Sequence, residues 1–312
     1  MTGLTRRTAL MSGVAAPFLA TLPVVSPASA AAPALGASMP THYRFPLGAM
    51  EVTTVLAGSG AMQDIHATFG LNASAEEFAA QARAYFLSDS EGRNGYAPTV
   101  VNKGEMVLLF DTGLDGIATA AALGGAGIDP ASIDVVVLTH MHGDHIGGLM
   151  TQGAPTFPNA RYVMGRAEFD YWATTGNERF ESHVRPLADK TAFIAGGHEV
   201  APGITAIETF GHTPGHLSFR VQSEGHVLMI LGDVANHYAF SLAKPDWHVR
   251  FDMDKDKGAQ TRRAILTRLA EERIPFVGYH MPFPAVGFVG AEGEDFRFFP
   301  ATYQFLLGQS SD

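Results

Sequence analysis

The sequence predicts an α+β protein, and three observations carry this prediction. Patterns typical of strands and of helices alternate along the 312 residues, with no repeat of fixed short period. Strands come first, then a helix, more strands, a long amphipathic helix, a last short strand and a tail. Several of these strands run directly into histidine or aspartate. The chain is 46% hydrophobic and 17% charged, enough for one large domain, which we expect over residues 42–312.

Residues 1–30 have the pattern of a secretory signal peptide. Arg6 and Arg7 precede an apolar stretch of small residues that ends in the A-S-A sequence at 28–30. The paired arginines resemble a twin-arginine signal, so we expect a periplasmic or secreted protein. A membrane anchor is the alternative, but the apolar run is short and broken by two prolines. We expect no stable membrane association after signal removal, and a flexible leader rich in Ala and Pro at 31–41.

Charge and cysteine content exclude several partners and sites. Removal of Arg6 and Arg7 with the signal leaves 19 basic and 31 acidic residues, a net charge of −12. That balance argues against a nucleic-acid partner, which binds basic surfaces. The chain has no cysteine, which excludes disulfides and any thiolate metal ligand.

The N-terminal half is predicted to consist of strands around one inserted segment. Residues 43–56 are typical of a hairpin that turns at 48–49. Residues 58–98 are interpreted as an insertion, and its helix at 74–86 begins with a capping box of Ser74 and Glu77. Strands at 96–101 and 106–110 and a Gly- and Ala-rich helix at about 116–126 are expected to follow.

Residues 133–148 are the most informative stretch of the chain. Apart from Asp134, residues 133–138 are β-branched and aliphatic, which is typical of a buried strand. Four potential metal ligands follow directly: His140, His142, Asp144 and His145. Imidazole nitrogen and carboxylate oxygen suit zinc and other divalent cations, and four such groups packed without a cation would be poorly compensated. A histidine-rich surface loop is the alternative, but the preceding strand favours a metal site.

The C-terminal half repeats this arrangement, because its strands also end in ligand-type residues. A strand at 204–209 leads to His212 and His216, and a hairpin of 217–221 with 227–231 leads to Asp233. A helix at 256–273 precedes a strand at 276–279 that ends in His280. Before these elements we expect a strand at 161–164, a helix at 167–174 and an irregular segment at 175–200. That segment and 58–98 are interpreted as a lid or as the interface of a homodimer.

The motif T-H-M-H-G-D-H-I-G-G resembles the signature of the metallo-β-lactamase-fold hydrolases. G-H-T-P-G-H, L-G-D and H-M-P-F-P-A-V-G extend this resemblance over most of the chain after the signal. It implies an αβ/βα four-layer sandwich, with two mixed β-sheets flanked by helices. It also implies a two-metal site in which His140, His142 and His216 hold one metal, Asp144, His145 and His280 hold the other, and Asp233 bridges both. Asp111, which follows the strand at 106–110 in a D-T-G turn, and His212 are expected to orient the ligands through hydrogen bonds.

Within these hydrolases the chain is most similar to the methyl parathion hydrolase and lactonase-like group, through F-P-N-A and A-E-G-E-D-F-R-F-F-P as well. The resemblance implies that a hydroxide bridging two divalent metals attacks a carbonyl or phosphoryl centre. Asp144 or Asp233 would act as the catalytic proton shuttle. Two Zn²⁺ ions are the expected cofactors, and Mn²⁺, Fe²⁺ and Co²⁺ are alternatives.

The expected substrate is a small, neutral and apolar molecule. An aromatic pocket would suit a lactone, an ester or a phosphotriester, although aromatic side chains also fill cores. The pocket candidates are Phe169, Trp172, Phe180, Phe283 and Phe288. Small residues at 116–120, where methyl parathion hydrolase has a pocket phenylalanine, favour a lactone or an ester over a phosphotriester. Two alternatives stay open: a β-lactam or thioester hydrolase similar to glyoxalase II, and a non-catalytic metal-binding protein.

Overall fold

The computed structural model describes residues 34–307. The predicted signal peptide at 1–30 and the first residues of the predicted leader lie outside this range. Within 34–307, none of the helices combines the length and the apolar character needed to cross a bilayer.

The first part of the described chain is rich in short strands. Its elements are β1 (His42–Leu47), β2 (Met50–Val55), β3 (Gly58–Gln63), a 3₁₀ turn (Ile65–Ala67), α1 (Ala75–Ala84), β4 (Glu91–Tyr96), β5 (Thr99–Asn102), β6 (Val107–Phe110), α2 (Gly116–Gly125), a second 3₁₀ turn (Pro130–Ser132), β7 (Val135–Val137), α3 (Gly143–Ile146), β8 (Met150–Thr151) and β9 (Ala154–Pro155).

The second part contains the longest helix and two long hairpins. Its elements are β10 (Arg161–Gly165), α4 (Arg166–Trp172), a π-helix (Phe180–Val184), a 3₁₀ helix (Arg185–Lys190), β11 (Thr191–Ile194), β12 (Glu199–Ala201), β13 (Ile204–Glu208), β14 (Leu217–Ser223), β15 (His226–Ile230), a second π-helix (Tyr238–Leu242), α5 (Lys255–Glu272), β16 (Phe276–Val277), β17 (Val286–Glu292) and β18 (Asp295–Pro300).

Two mixed sheets of seven strands form the centre of the fold. The first has the order β1-β2-β5-β6-β7-β10-β11, and the second has the order β12-β13-β14-β15-β16-β17-β18. In the first sheet, β6, β7, β10 and β11 run parallel to one another. In the second, β15 and β16 form the parallel pair. Parallel neighbours end at the same edge of a sheet, so the residues that follow them are brought together.

The packing of the side chains produces four layers. Val135 and Val137 of β7 belong to a core between the two sheets, whereas Val136 belongs to a second core on the outer face of the first sheet. Alternation along the strand explains this split, and burial on both faces explains the unbroken run of valines. Between the sheets, the rings of Phe110 and Phe219 meet edge to face at 5.2 Å.

The outer layers are helices. Leu123 of α2 and Trp172 of α4 pack into the core on the outer face of the first sheet. Leu266 and Leu269 of α5 pack with Phe276 on the outer face of the second sheet. The order helix, sheet, sheet, helix matches the predicted α+β architecture.

Several local predictions agree with the structure. The hairpin of β1 and β2 turns at residues 48–49, with Leu47 paired to Met50. The capping box of α1 is formed, because Ser74 Oγ accepts from the Glu77 N–H at 3.2 Å and Glu77 Oε2 accepts from the Ser74 N–H at 2.8 Å. The predicted hairpin around 223–225 is formed by β14 and β15.

Other local predictions were wrong. Residues 175–200 are not irregular, because they contain two short helices and β11, which extends the first sheet by parallel pairing with β10. The expected C-terminal tail is a hairpin of β17 and β18, in which Phe296 and Phe298 point into the core. Residues 58–98 also contain two strands that were not predicted, β3 and β4, which pair as a separate small sheet.

Candidate metal centre

Asp111 anchors the loop that follows β7. It adopts a left-handed backbone conformation with φ of 59° directly after β6. Its carboxylate accepts the backbone N–H of Thr139 at 2.9 Å, the Thr139 hydroxyl at 2.8 Å and a hydrogen bond from His145 Nδ1 at 2.9 Å. With Nδ1 engaged in this way, the lone pair of His145 Nε2 points away from Asp111.

Three imidazole nitrogens face one another beyond the end of β7. His142 Nδ1 lies 3.1 Å from His140 Nε2 and 2.9 Å from His212 Nε2. The other ring nitrogens of two of these residues have partners, because His140 Nδ1 lies 3.1 Å from Thr139 Oγ1 and His212 Nδ1 lies 2.9 Å from Asp252 Oδ1. The three inward nitrogens therefore form a nitrogen donor set for one cation.

A second group of donors adjoins the first. His280 Nε2 lies 3.2 Å from Asp144 Oδ2 and 3.2 Å from Asp233 Oδ2. His145 Nε2 lies 3.8 Å from Asp144 Oδ2 and 3.3 Å from Asp233 Oδ1. Because Asp233 Oδ2 is also 3.4 Å from His212 Nε2, the Asp233 carboxylate stands between the two groups.

The sequence-based assignment of His216 as a ligand is corrected by this geometry, and His212 takes its place. His216 Nε2 accepts the backbone N–H of Asp233 at 3.1 Å, and His216 Nδ1 lies 2.8 Å from Thr209 Oγ1. Both ring nitrogens are thus occupied by protein groups. His212, which was expected only to orient the ligands, directs Nε2 at His142 and Asp233.

Unpaired buried atoms show that these groups fit a cation. Within residues 34–307, His145 Nε2 and Asp233 Oδ1 are buried and have no hydrogen-bond partner. Such atoms are costly unless a ligand satisfies them. A borderline divalent cation suits this set of imidazole nitrogens and carboxylate oxygens, with His140, His142 and His212 as one donor group, Asp144, His145 and His280 as the other, and Asp233 between them.

The electrostatics of the cluster also favour a cation. Burial lowers the pKa of His140 well below its ordinary value and the pKa of His142 to about 3. Both rings are therefore neutral at neutral pH, the form that binds metals. For His145 burial also lowers the pKa, but Asp233, Asp111 and Asp144 outweigh it and raise the pKa to about 10. The three carboxylates thus favour a positive charge in this part of the cluster. A bound divalent cation would supply that charge.

Glu168 was missed by the sequence analysis, although it connects the two histidine loops. The side chain is 1% exposed. Oε1 accepts the Met141 N–H at 3.0 Å and Trp172 Nε1–H at 2.7 Å. Oε2 accepts the Thr213 hydroxyl at 2.8 Å and the Gly215 N–H at 2.9 Å. The loop of His140 and His142 is thereby joined to the loop of His212.

Tyr279 is a second residue that the sequence analysis missed. Its hydroxyl donates to the Asp144 carbonyl at 2.6 Å, and its ring lies against His145 with centroids 4.0 Å apart. His280, the next residue, donates from Nδ1 to the Gly95 carbonyl at 2.8 Å, which leaves Nε2 for the cluster. An aromatic residue directly before a histidine at a strand end is the sequence signal that could have identified Tyr279.

A cavity of about 490 Å³ opens beside the cluster. His142, Asp144, Asp233 and His280 are among the residues that line it. The remaining wall is mixed: the apolar residues include Met62, Leu114 and Phe251, and the polar residues include Asn94, Tyr96, Asn236 and Arg250. A small molecule in this cavity would contact the cluster directly.

The predicted aromatic pocket is largely wrong. Phe180 is fully buried and packs against Phe169 at 5.2 Å in the core of the first sheet. Phe288 stacks on Phe305 at 5.9 Å beside the core between the sheets. Trp172 is 9% exposed, with its ring 5.7 Å from that of His142. Phe283 lines a separate cavity of about 280 Å³, which His280 also lines.

Comparison with known proteins identifies the family. A family model described as the metallo-beta-lactamase superfamily matches residues 95–276, more than half of the chain. The chain belongs to the metallo-beta-lactamase superfamily. The resemblance found in the sequence is therefore confirmed at the level of the family.

Two curated relatives of the chain are N-acyl homoserine lactonases. The protein from Bacillus sp. is 34% identical over 107 residues, which are 34% of this chain and 40% of the relative. The protein AttM from Agrobacterium fabrum is 34% identical over 106 residues, 31% of this chain and 38% of the relative. The chain thus spans about 40% of the length of these relatives.

Solved structures confirm the metallo-beta-lactamase fold. AidC, described as a dizinc quorum-quenching lactonase in complex with a product, has a TM-score of 0.77 and 23% identity, covering 84% of this chain and 98% of that one. The hydrolase AbOPH has a TM-score of 0.79 and 21% identity, covering 86% of this chain and 100% of that one. At these identities the likeness concerns the fold.

Proposed function

We propose that this protein is a dinuclear metal-dependent hydrolase of lactones, with N-acyl homoserine lactones as its substrate class. The observation that carries the proposal is the position of the Asp233 carboxylate between two donor groups. Its oxygens lie 3.3 Å from His145 Nε2, 3.2 Å from His280 Nε2 and 3.4 Å from His212 Nε2. A carboxylate shared in this way suits two cations held side by side, most simply two Zn²⁺ ions.

Two bound cations would supply an activated water and would polarise the substrate carbonyl. The chain itself holds and moves protons. The side chain of Asp144 is 23% exposed and that of Asp233 is 6% exposed. Asp144 is therefore the better placed of the two carboxylates to pass a proton to the leaving alcohol, since both line the cavity but more of the Asp144 side chain is exposed there.

The cavity wall supports an amide-bearing lactone. Asn94 and Asn236 line the cavity. Side-chain amides can exchange hydrogen bonds with the amide of an N-acyl group. Leu114 and Phe251, which are 44% and 41% exposed, offer apolar contact at the same cavity for an acyl chain. The lactonases among the relatives support the same substrate class.

Steady-state hydrolysis tests the proposal. The substrates are an N-acyl homoserine lactone, an alkyl lactone of equal length without the amide, an aryl ester, a paraoxon-type triester and a cephalosporin. We expect the N-acyl lactone to be preferred, and activity to vanish with a chelator and to return with Zn²⁺. His142→Ala should lower kcat/KM by more than about 100-fold, because loss of a residue that only supports a ligand already costs roughly 10–100-fold. Equal turnover by the chelated protein would overturn the proposal.

We also propose that the protein is exported through a twin-arginine signal. The proposal is supported by Arg6, Arg7 and the A-S-A sequence at 28–30. Replacement of both arginines by lysine should keep the protein out of the periplasmic and secreted fractions. Unchanged export of that variant would contradict the proposal.

A further inference from the structure

A buried ion pair of Asp252 and Arg262 contacts the imidazole of His212 through its Nδ1 atom. His212 Nδ1 lies 2.9 Å from Asp252 Oδ1, and the other oxygen of Asp252 accepts a hydrogen bond from Arg262 Nη2 of α5. His212, Asp252 and Arg262 are 2%, 1% and 1% exposed. The three side chains thus form a chain of contacts from the candidate metal centre into the helix layer.

Arg262 also holds the loop that carries Asp233. Its Nε donates to the carbonyl of Val234, the residue after Asp233, at 2.9 Å. Its Nη1 donates to the carbonyls of Pro245 and Trp247 at 2.8 and 2.9 Å. All three guanidinium nitrogens are therefore engaged, and one side chain fixes the positions of several loops.

The backbone ties the same segments together. Met253 N–H donates to the His212 carbonyl at 3.0 Å, and Asp254 N–H donates to the Gly211 carbonyl at 3.0 Å. Gly211 has φ of +130°, and a Cβ there would meet the Gly258 nitrogen at 2.4 Å. The loop before His212 can therefore lie directly on the first turns of α5.

Stability alone does not account for this ion pair. A buried pair loses hydration that its attraction barely offsets, and apolar side chains of similar volume are often as stable. The orientation that the pair gives to the His212 ring is a better explanation for it. With Nδ1 bonded to Asp252, the lone pair of His212 Nε2 points at His142 Nδ1, 2.9 Å away, and Asp233 Oδ2, 3.4 Å away.

We propose that Asp252 and Arg262 are positioning residues of the metal centre. Asp252 fixes His212 as a ligand through Nε2, and Arg262 holds Asp252 and the Asp233 loop in register with each other. This inference rests on the metal centre of the proposed function. It assigns a role in that centre to α5, which contributes none of the candidate ligands.

The test compares metal binding by the Asp252→Asn variant and the wild-type holoenzyme. Zinc content is measured against a competing chelator, and the Co²⁺-substituted proteins are compared by visible spectroscopy. We expect metal affinity to fall roughly 10–100-fold, as for other residues that orient ligands. We also expect a changed Co²⁺ spectrum, and a fall in kcat with little change in KM.

The matched control lies on the same helix. Arg263 pairs with Asp246 at 2.6 Å, but both side chains are substantially exposed. Arg263→Met should leave zinc content, the Co²⁺ spectrum and kcat unchanged. The double variant Asp252→Asn/Arg262→Met leaves no unpaired buried charge, so it should fold as judged by circular dichroism and still bind zinc weakly.

The outcomes separate the two proposals. Wild-type zinc affinity and an unchanged Co²⁺ spectrum in folded Asp252→Asn or in the folded double variant would overturn this inference alone. A wild-type protein that neither binds zinc nor hydrolyses lactones would overturn the proposed function and this inference with it.

Discussion

Replacement of Glu168 tests how the two histidine loops are held in place. Glu168→Gln keeps the shape of the side chain but turns one of its oxygens into an NH₂ group, which donates instead of accepting. The arrangement with least disruption places NH₂ toward Thr213, because a hydroxyl can rotate and accept. Only the Gly215 N–H, which donates to Glu168 at 2.9 Å, then loses its partner.

The expected cost follows from the number of donors left without acceptors. One buried donor without a partner costs about 1–3 kcal/mol, and this is the loss expected for Glu168→Gln. Glu168→Ala removes the acceptor of all four hydrogen bonds, so its loss should exceed about 4 kcal/mol. Because a domain of this kind has a free energy of unfolding of roughly 5–15 kcal/mol, the alanine variant should lose a large part of its stability.

Urea unfolding followed by circular dichroism measures these differences. Glu208→Gln is the matched control, because within residues 34–307 the exposed Glu208 side chain accepts only the Gly196 N–H, at 3.3 Å. That control should stay within about 0.5 kcal/mol of wild type. The reasoning is refuted if Glu168→Gln is no more destabilising than the control, or if Glu168→Ala is no worse than Glu168→Gln.

Two further predictions concern the cavity wall and the response to acid. Phe251→Ala should lower kcat/KM for long-chain N-acyl lactones about fivefold, because about 1 kcal/mol of apolar contact is lost, and should leave kcat/KM for short-chain lactones nearly unchanged. An equal loss for both chain lengths would contradict this prediction. Burial, and to a smaller extent His280, lowers the pKa of His237 to about 3. The neutral His237 ring therefore contributes fully to the free energy of unfolding above pH 6.5, and this contribution is lost as the pH falls toward 3. His237→Asn, which can still accept the Ala239 N–H, should therefore lose less stability between pH 6.5 and 4 in urea unfolding than wild type or the exposed control His226→Asn.

Local signals made much of the fold predictable. The capping box of Ser74 and Glu77 and the valine run of β7 are local patterns, and the structure contains both. The pairing of β3 with β4 was not predictable in this way. Their sequences, GSGAMQ and EGRNGY, contain few of the β-branched and aromatic residues that favour strands. Their pairing depends on contacts across more than 25 residues, as between Gln63 and Glu91.

Buried polar residues outside the motifs were the hardest part of the site to predict. Arg262 and Arg263 are neighbours of the same type, yet one is 1% exposed and the other lies at the surface. The available signal was helical spacing, because Arg262 is four and seven residues before the buried Leu266 and Leu269. Position on the apolar face of α5 could have identified Arg262 as a buried residue, but not its partner Asp252.

The choice between His212 and His216 shows why local sequence was insufficient for the ligand set. Both residues belong to one G-H-T-P-G-H motif, both follow β13, and both are nearly fully buried. What separates them is a hydrogen bond from a residue 17 positions further along the chain, the Asp233 N–H, which occupies His216 Nε2. A neutral imidazole has one donor and one acceptor nitrogen, so His216 must then donate from Nδ1 to Thr209 and has no lone pair left for a cation. His216 therefore positions the Asp233 backbone. His212 is the candidate ligand instead, because its Nδ1 is bonded to Asp252 and its Nε2 faces the centre.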